Sequence, residues 1–177
     1  MNHLAISYDK SNVIFDQMKI SLAHQYFKES RIDRNFNSDI QNTNTEKVFA
    51  YSVNADFNKK IATKHQLFYG LEFVNDVVHS DGEEENIITN EKFNAASRYP
   101  IAAWASVAAY ANYQFKVCEK LLLKGGLRYS HFIINADFSG NQAFYDLPET
   151  ETSLNNGALT GSAGMIYSPI KQTKIRA

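Results

Sequence analysis

The 177-residue chain predicts an all-β fold: a segment of an antiparallel up-and-down transmembrane β-barrel. About six complete strands are expected, with partial strands at the ends. Three observations lead there. Apolar and polar residues alternate with period 2 over long stretches. The connections alternate between short and long. Aromatic side chains gather near both ends of the apolar strand faces.

Residues 19–36 (KISLAHQYFKESRIDRNF) place Ile20, Leu22, His24 and Tyr26 on one face, with Lys19, Ser21, Gln25, Glu29 and Arg31 on the other. Leu4, Ile6 and Tyr8 mark the end of a preceding strand. Residues 48–58 put Phe49, Tyr51, Val53, Ala55 and Phe57 opposite Ala50, Ser52, Asn54 and Asp56. In residues 65–79 the apolar set is Leu67, Tyr69, Leu71, Phe73 and Val77, against Gln66, Gly70, Glu72 and Asp76. Residues 121–138 and 159–167 repeat the pattern less cleanly. Such alternation is the mark of a strand with two different environments.

Residues 104–123 fit two readings. As a strand, Val107, Ala109, Ala111, Tyr113, Phe115 and Val117 share a face. As a helix, Trp104, Val107, Ala111, Phe115, Cys118 and Leu122 form a seam that Gly125 and Gly126 would end. Alanine content favours the helix. The layout of the neighbouring strands favours the strand, which is the reading adopted.

The connections at 58–64, 118–120 and 168–171 read as short turns. Those at 37–46, 80–103 and 139–157 read as long polar loops. Sorting of long loops to one end and short turns to the other is expected of an outer-membrane barrel. With the long loops outside, Phe49, Tyr51, Phe73 and Tyr129 form an outer aromatic belt. Phe57, Tyr69, Tyr113, Phe115 and Tyr167 form the inner one. Val53, Ala55, Leu71, Ala109, Ala111, Gly125 and Ala163 lie between them, as an apolar band flanked by headgroup-level aromatics requires.

Composition narrows the function. Eighteen basic and 19 acidic residues leave a net charge of -1, so no global field draws in nucleic acid. The lone Cys118 excludes an internal disulfide and any multi-cysteine zinc site. The five histidines are scattered along the chain without close ligand spacing, and no nucleophile is paired with a base. No catalytic, cofactor or metal site is expected. The acidic run Asp81-Gly82-Glu83-Glu84-Glu85 reads as a solvated loop. No apolar run is long enough for a transmembrane helix, and no signal peptide is visible.

The charged strand positions carry more information. Glu29, Arg31, Glu72, Asp76, Lys116 and Arg128 alternate with apolar partners, so they are expected to face a lumen and to contact a plug or a ligand there.

Several stretches resemble a known family in order and spacing. QYFKESRIDRNF at 25–36 resembles the strand of TonB-dependent outer-membrane receptors that carries a Gln, Glu, Arg, Arg, Phe pattern. HQLFYGLEF at 65–73 resembles their His, Leu, Tyr-Gly, Glu strand. Arg98-Tyr99-Pro100, Tyr110-Ala111-Asn112-Tyr113 and LLLKGGLRY at 121–129 are similar to the next hairpin. Together they cover residues 17–170, and the style is similar to haem or haemoglobin receptors. Where the family continues with Asp-Gly after Arg-Tyr-Pro, Ile101-Ala102-Ala103 stands here. The resemblance implies a Gram-negative outer membrane, a plugged barrel and import of a scarce nutrient such as an iron chelate, haem or cobalamin. It implies outer-membrane lipid, the receptor's own plug domain and TonB as partners, with ligand bound by the extracellular loops.

The family's barrels have about 22 strands. Residues 1–177 are therefore expected to form part of one barrel domain, a fragment without plug, TonB box or signal peptide. A soluble all-β ligand-binding module is the alternative.

Overall fold

The computed structural model describes residues 1–170 and 173–176. Period-2 alternation becomes strand throughout: β1 Asn2–Tyr8, β2 Gln17–Asp33, β3 Ile40–Ala62, β4 His65–Asn86, β5 Lys92–Ala95, β6 Ile101–Cys118, β7 Leu121–Asp137, β8 Glu151–Tyr167 and β9 Ile175–Arg176. Six are long, and the rest are short pieces at the ends or in a loop. They form one antiparallel sheet in the order β1-β2-β3-β4-β6-β7-β8-β9, with β5 paired to the outer end of β4.

Residues 104–118 resolve as strand, and 121–123 open the next strand after a turn at Glu119-Lys120. Fourteen rungs tie β6 to β4, from His65↔Phe115 to Val78↔Ala102, and β7 pairs with its other edge. Two neighbours supply a partner for nearly every backbone group, and that outweighs the modest helix preference of alanine.

The strands are longer than the sequence pattern suggests. β3 has 23 residues and β4 has 22, although about ten suffice for a tilted crossing. The expected loops at 37–46, 80–103 and 139–157 are partly strand. The ladder runs on through Asn42↔Glu84 and Thr45↔Asp81, and β8 begins at Glu151. Outside a membrane neither face needs apolar residues, so pairing continues where the alternation stops. The linkers that remain on this end are 34–39, 87–91, 96–100 and 138–150. Asn37 and Asn90 take left-handed backbone there (φ 60° and 62°), a conformation that Asn tolerates better than most residues.

The opposite end turns sharply at Thr63-Lys64 and Glu119-Lys120, with register shifts between Lys60 and Ala62 and between Lys116 and Cys118. Of the expected turn at 168–171, Lys171 lies outside the described residues. The longer link from β1 to β2 is ordered by its own side chains together with Lys59 and Lys60 of β3. Asn12 Oδ1 accepts from the Ile14 and Phe15 amides at 2.8 and 2.9 Å. Asp16 accepts from Ser11 Oγ (2.6 Å), Lys59 Nζ (2.9 Å) and the Lys60 amide (2.7 Å). These donors, Ser11 foremost, hold the Asp16 carboxyl well below the usual carboxylate range.

No second sheet covers the apolar face among the described residues. Among the described residues Ala108 is the sole buried hydrophobic one, while Leu71 is 57% exposed, Val107 54% and Leu127 61%. A water-soluble all-β module would bury such a face against a second layer, whereas the described residues form a single sheet with this face open.

The aromatic belts slant across the sheet. Tyr129 shares its rung with Ala109, Leu71 and Ala55, and Ala55 lies four residues along β3 from Tyr51. With strands about 4.8 Å apart, about 3.3 Å per residue and a tilt near 40°, a level plane advances about 1.2 residues per strand. Over the three steps from β3 to β7 that amounts to about four residues. Tyr51 and Tyr129 therefore lie at one height when the strands are tilted as in a membrane barrel.

Candidate functional site: the polar face of the wall

The register places all six expected lumen residues on one face. Glu29 and Arg31 of β2 stand opposite Glu46 and Asn44 of β3. Glu72 and Asp76 of β4 lie level with Asn54 and Ala50, Lys116 opposite Leu122, and Arg128 opposite Tyr110 and Thr160.

They do not form one cluster. Arg31 Nε pairs with Glu29 at 2.7 Å near the outer end of β2, well exposed to solvent. Arg128 reaches past β6 to Glu72 on β4 at 2.5 Å, and its Nε donates to Ser130 Oγ at 2.9 Å. Asp76 stands between Ala50 and Trp104, and Lys116 sits close to the short turn.

The centre of this face is built on small residues. Tyr110 of β6 lies over Gly70 of β4 and donates its hydroxyl to Asp56 of β3. A Cβ on Gly70 would clash with the Tyr110 hydroxyl and with the Ala55 carbonyl oxygen. Ala108, 1% exposed, lies in register between Glu72 and Ser130, the two residues that Arg128 bonds. Two long side chains thus each cross a strand over a small residue, and the guanidinium lies 5.9 Å from the Tyr110 ring centre. Together with Asn54, Asn112, Gly126, Thr160 and Ser162 they line an open recess of about 410 Å³. It presents hydroxyl, amide, carboxylate and guanidinium groups in one wall, suited to holding polar segments.

Gly70→Ala in the complete receptor is expected to cost about 1–3 kcal/mol through overpacking, because one obstacle is backbone. Gly125→Ala should be neutral, since the nearest atom to its Cβ is 4.0 Å away. Unfolding temperatures read from heat-dependent gel mobility would check the pair, and equal behaviour would contradict the packing described.

Sequence reasoning missed Asp56, Tyr110 and the two small residues. A glycine inside a strand on the polar side was the available signal, since such a residue marks close approach by another group. It also missed that this face turns apolar toward the loops, where Val48, Val74, Val78, Phe132 and Ile134 share it with Asp76.

Two loops are tied above the wall. Asn141, in the β7–β8 connection, accepts from the Ser97 amide (2.7 Å) and donates to the Ser97 carbonyl (2.9 Å). The acidic run is neutralised in part, with Asp81 on Lys47 at 3.4 Å and Glu83 on Lys92 at 2.7 Å. Four histidines pack on aromatics: His24 on Tyr51, His65 on Phe115, His79 edge-on to Phe49 and His131 beside Tyr129.

The family model for the TonB dependent receptor-like β-barrel matches residues 3–177. The chain belongs to that family. No curated protein matches it in sequence. Among solved structures, the TonB-dependent barrel wall is similar to the copper transporter OprC, with TM-score 0.71 and 10% identity over 96% of this chain and 27% of that one. It is similar to the ferric yersiniabactin uptake receptor FyuA from Yersinia pestis (TM-score 0.66, 15% identity, 96% and 25% covered). It is similar also to the ferric citrate transporter FecA in its unliganded form (TM-score 0.64, 11% identity, 96% and 25% covered). The chain spans about a quarter of the length of these structures.

Proposed function

We propose that residues 1–177 form part of the barrel wall of a Gram-negative outer-membrane importer driven by TonB. The complete receptor would carry a scarce metal chelate or a haem- or cobalamin-type nutrient through a lumen closed by its own plug. The observation that carries this reading is the two-faced wall within a TonB-dependent receptor barrel family. One face is an apolar band between aromatic belts, and the other is a polar recess centred on Glu72, Tyr110 and Arg128. Solved structures of the same fold bear the names of copper, ferric yersiniabactin and ferric citrate transporters, which supports a metal or metal-chelate cargo.

In this reading the wall holds and orients. Arg128 and Glu72 are about a third exposed, so they neutralise one another only in part and keep polar capacity for a plug or passing ligand. Glu29 and Arg31 would meet ligand nearer the loops, Asp76 the region between, and Lys116 the lower plug.

The test is uptake by a receptor-deficient cell supplied with the complete receptor, using copper(II), ferric chelates, haem and cobalamin. At least one should enter in a TonB-dependent manner. Glu72→Ala or Arg128→Ala should lower that uptake about tenfold, each leaving a charge without its partner. No TonB-dependent uptake of any of them, or full uptake by both variants, would contradict the proposal.

A further inference from the structure

On the apolar face, just beyond the aromatic belt, three bases stand in one row across three strands. Lys28 of β2 lies directly opposite Lys47 of β3, and Lys47 directly opposite His79 of β4. The rung below holds Tyr26, Phe49 and Val77, with the rings of Tyr26 and Phe49 at 4.9 Å. The rung above holds Ser30, Thr45 and Asp81, with the two hydroxyls 2.9 Å apart. Read outward, the order is aromatic, cationic, hydroxyl.

Like charges directly opposite one another destabilise a sheet, and a row of this kind needs an anion to be favourable. The protein supplies little. Asp81 approaches Lys47 at 3.4 Å with its side chain 69% exposed, and Lys28 has no ion pair among the described residues. Lys28 and His79 are both exposed. Two residues beyond Phe49 is a rise of about 5 Å along the barrel axis, which is headgroup depth when the aromatic rings mark the edge of the hydrocarbon.

We infer that Lys28, Lys47 and His79 form a binding site for the phosphate-bearing headgroup of an outer-leaflet lipid, with Ser30 and Thr45 offering hydroxyl donors and the Tyr26–Phe49 pair packing on its acyl chains. The lysines supply charge-assisted hydrogen bonds to phosphate oxygens, and the anion removes their mutual repulsion. A lipid is the occupant rather than a free anion because the row sits on the face that meets acyl chains, next to exposed apolar side chains. The inference rests on the membrane reading of this wall.

The experiment is native mass spectrometry of the complete receptor in detergent, with phosphatidylglycerol, phosphatidylcholine or inorganic phosphate added separately. Wild type should retain phosphatidylglycerol in preference to phosphatidylcholine. The double variant Lys28→Gln/Lys47→Gln should retain about tenfold less while keeping heat-modifiable mobility. Lys124→Gln, on the opposite face, should retain as much as wild type. Equal retention by the double variant, or equal retention of phosphatidylcholine, would overturn the site. Inorganic phosphate held as firmly as the lipid would overturn the lipid assignment. A wild-type receptor with no heat-modifiable barrel would overturn the membrane reading itself and this inference with it.

Discussion

Val53→Arg and Ala109→Arg should each impair barrel assembly in the complete receptor by about 2–4 kcal/mol, the cost of a cation near the bilayer midplane of a membrane barrel. Both residues lie in the apolar band. Val53 is level with Leu22 and Phe73, and Ala109 with Leu71 and Tyr129. Exposure of 39% for Val53 and 57% for Leu71, the partner of Ala109, is then contact with lipid rather than with water. Ser52→Arg and Asn112→Arg, one residue from Val53 and three from Ala109, should be tolerated far better. Their side chains point to the polar face, where water and counter-charges are available. The measurement is the fraction of receptor reaching the heat-modifiable form. Equal damage by the two pairs would mean that the faces are assigned the wrong way round.

The second large effect concerns the chain in isolation. Expressed alone, the 177 residues should form no closed barrel and restore no uptake. In the structure β1 pairs only with β2, and β9 joins β8 through two rungs, so a wall with two open edges is all the described residues build. Unpaired backbone groups along such edges are not tolerated in hydrocarbon. Early closure is also opposed by the inner face, where Arg128, Glu72, Asp56 and Tyr110 would need water or a partner. The isolated chain should aggregate or require denaturant. A folded, heat-modifiable monomer of these residues in detergent would show instead a small self-contained barrel.

Strand parity in the sequence was enough to put Glu29, Arg31, Glu72, Asp76, Lys116 and Arg128 on a common face. Parity is a local property, so the alternation of HQLFYGLEF already shows which residues share a side. Pairing is not local. That Arg128 meets Glu72 depends on the register of β6 between them, and on Ala108 being small enough to lie beneath the bridge. The same holds for Tyr110, Gly70 and Asp56. The outer halves of β3 and β4 escaped notice because residues such as Asn42, Thr43 and Glu84 carry no alternation once lipid is left behind. The ambiguous stretch 104–123 shows the converse: its alanines favour helix locally, and only paired neighbours on both edges decide for strand.

The most direct measurement is cysteine labelling of whole cells expressing the complete receptor, with a reagent that does not cross the membrane. Single cysteines in the linkers 87–91 and 138–150 should react, and one at Thr63 or Lys64 should be protected until the outer membrane is opened. The reverse pattern, with the short turn labelled and the linkers protected, would contradict the membrane orientation on which the faces, the polar recess and the lipid site all depend.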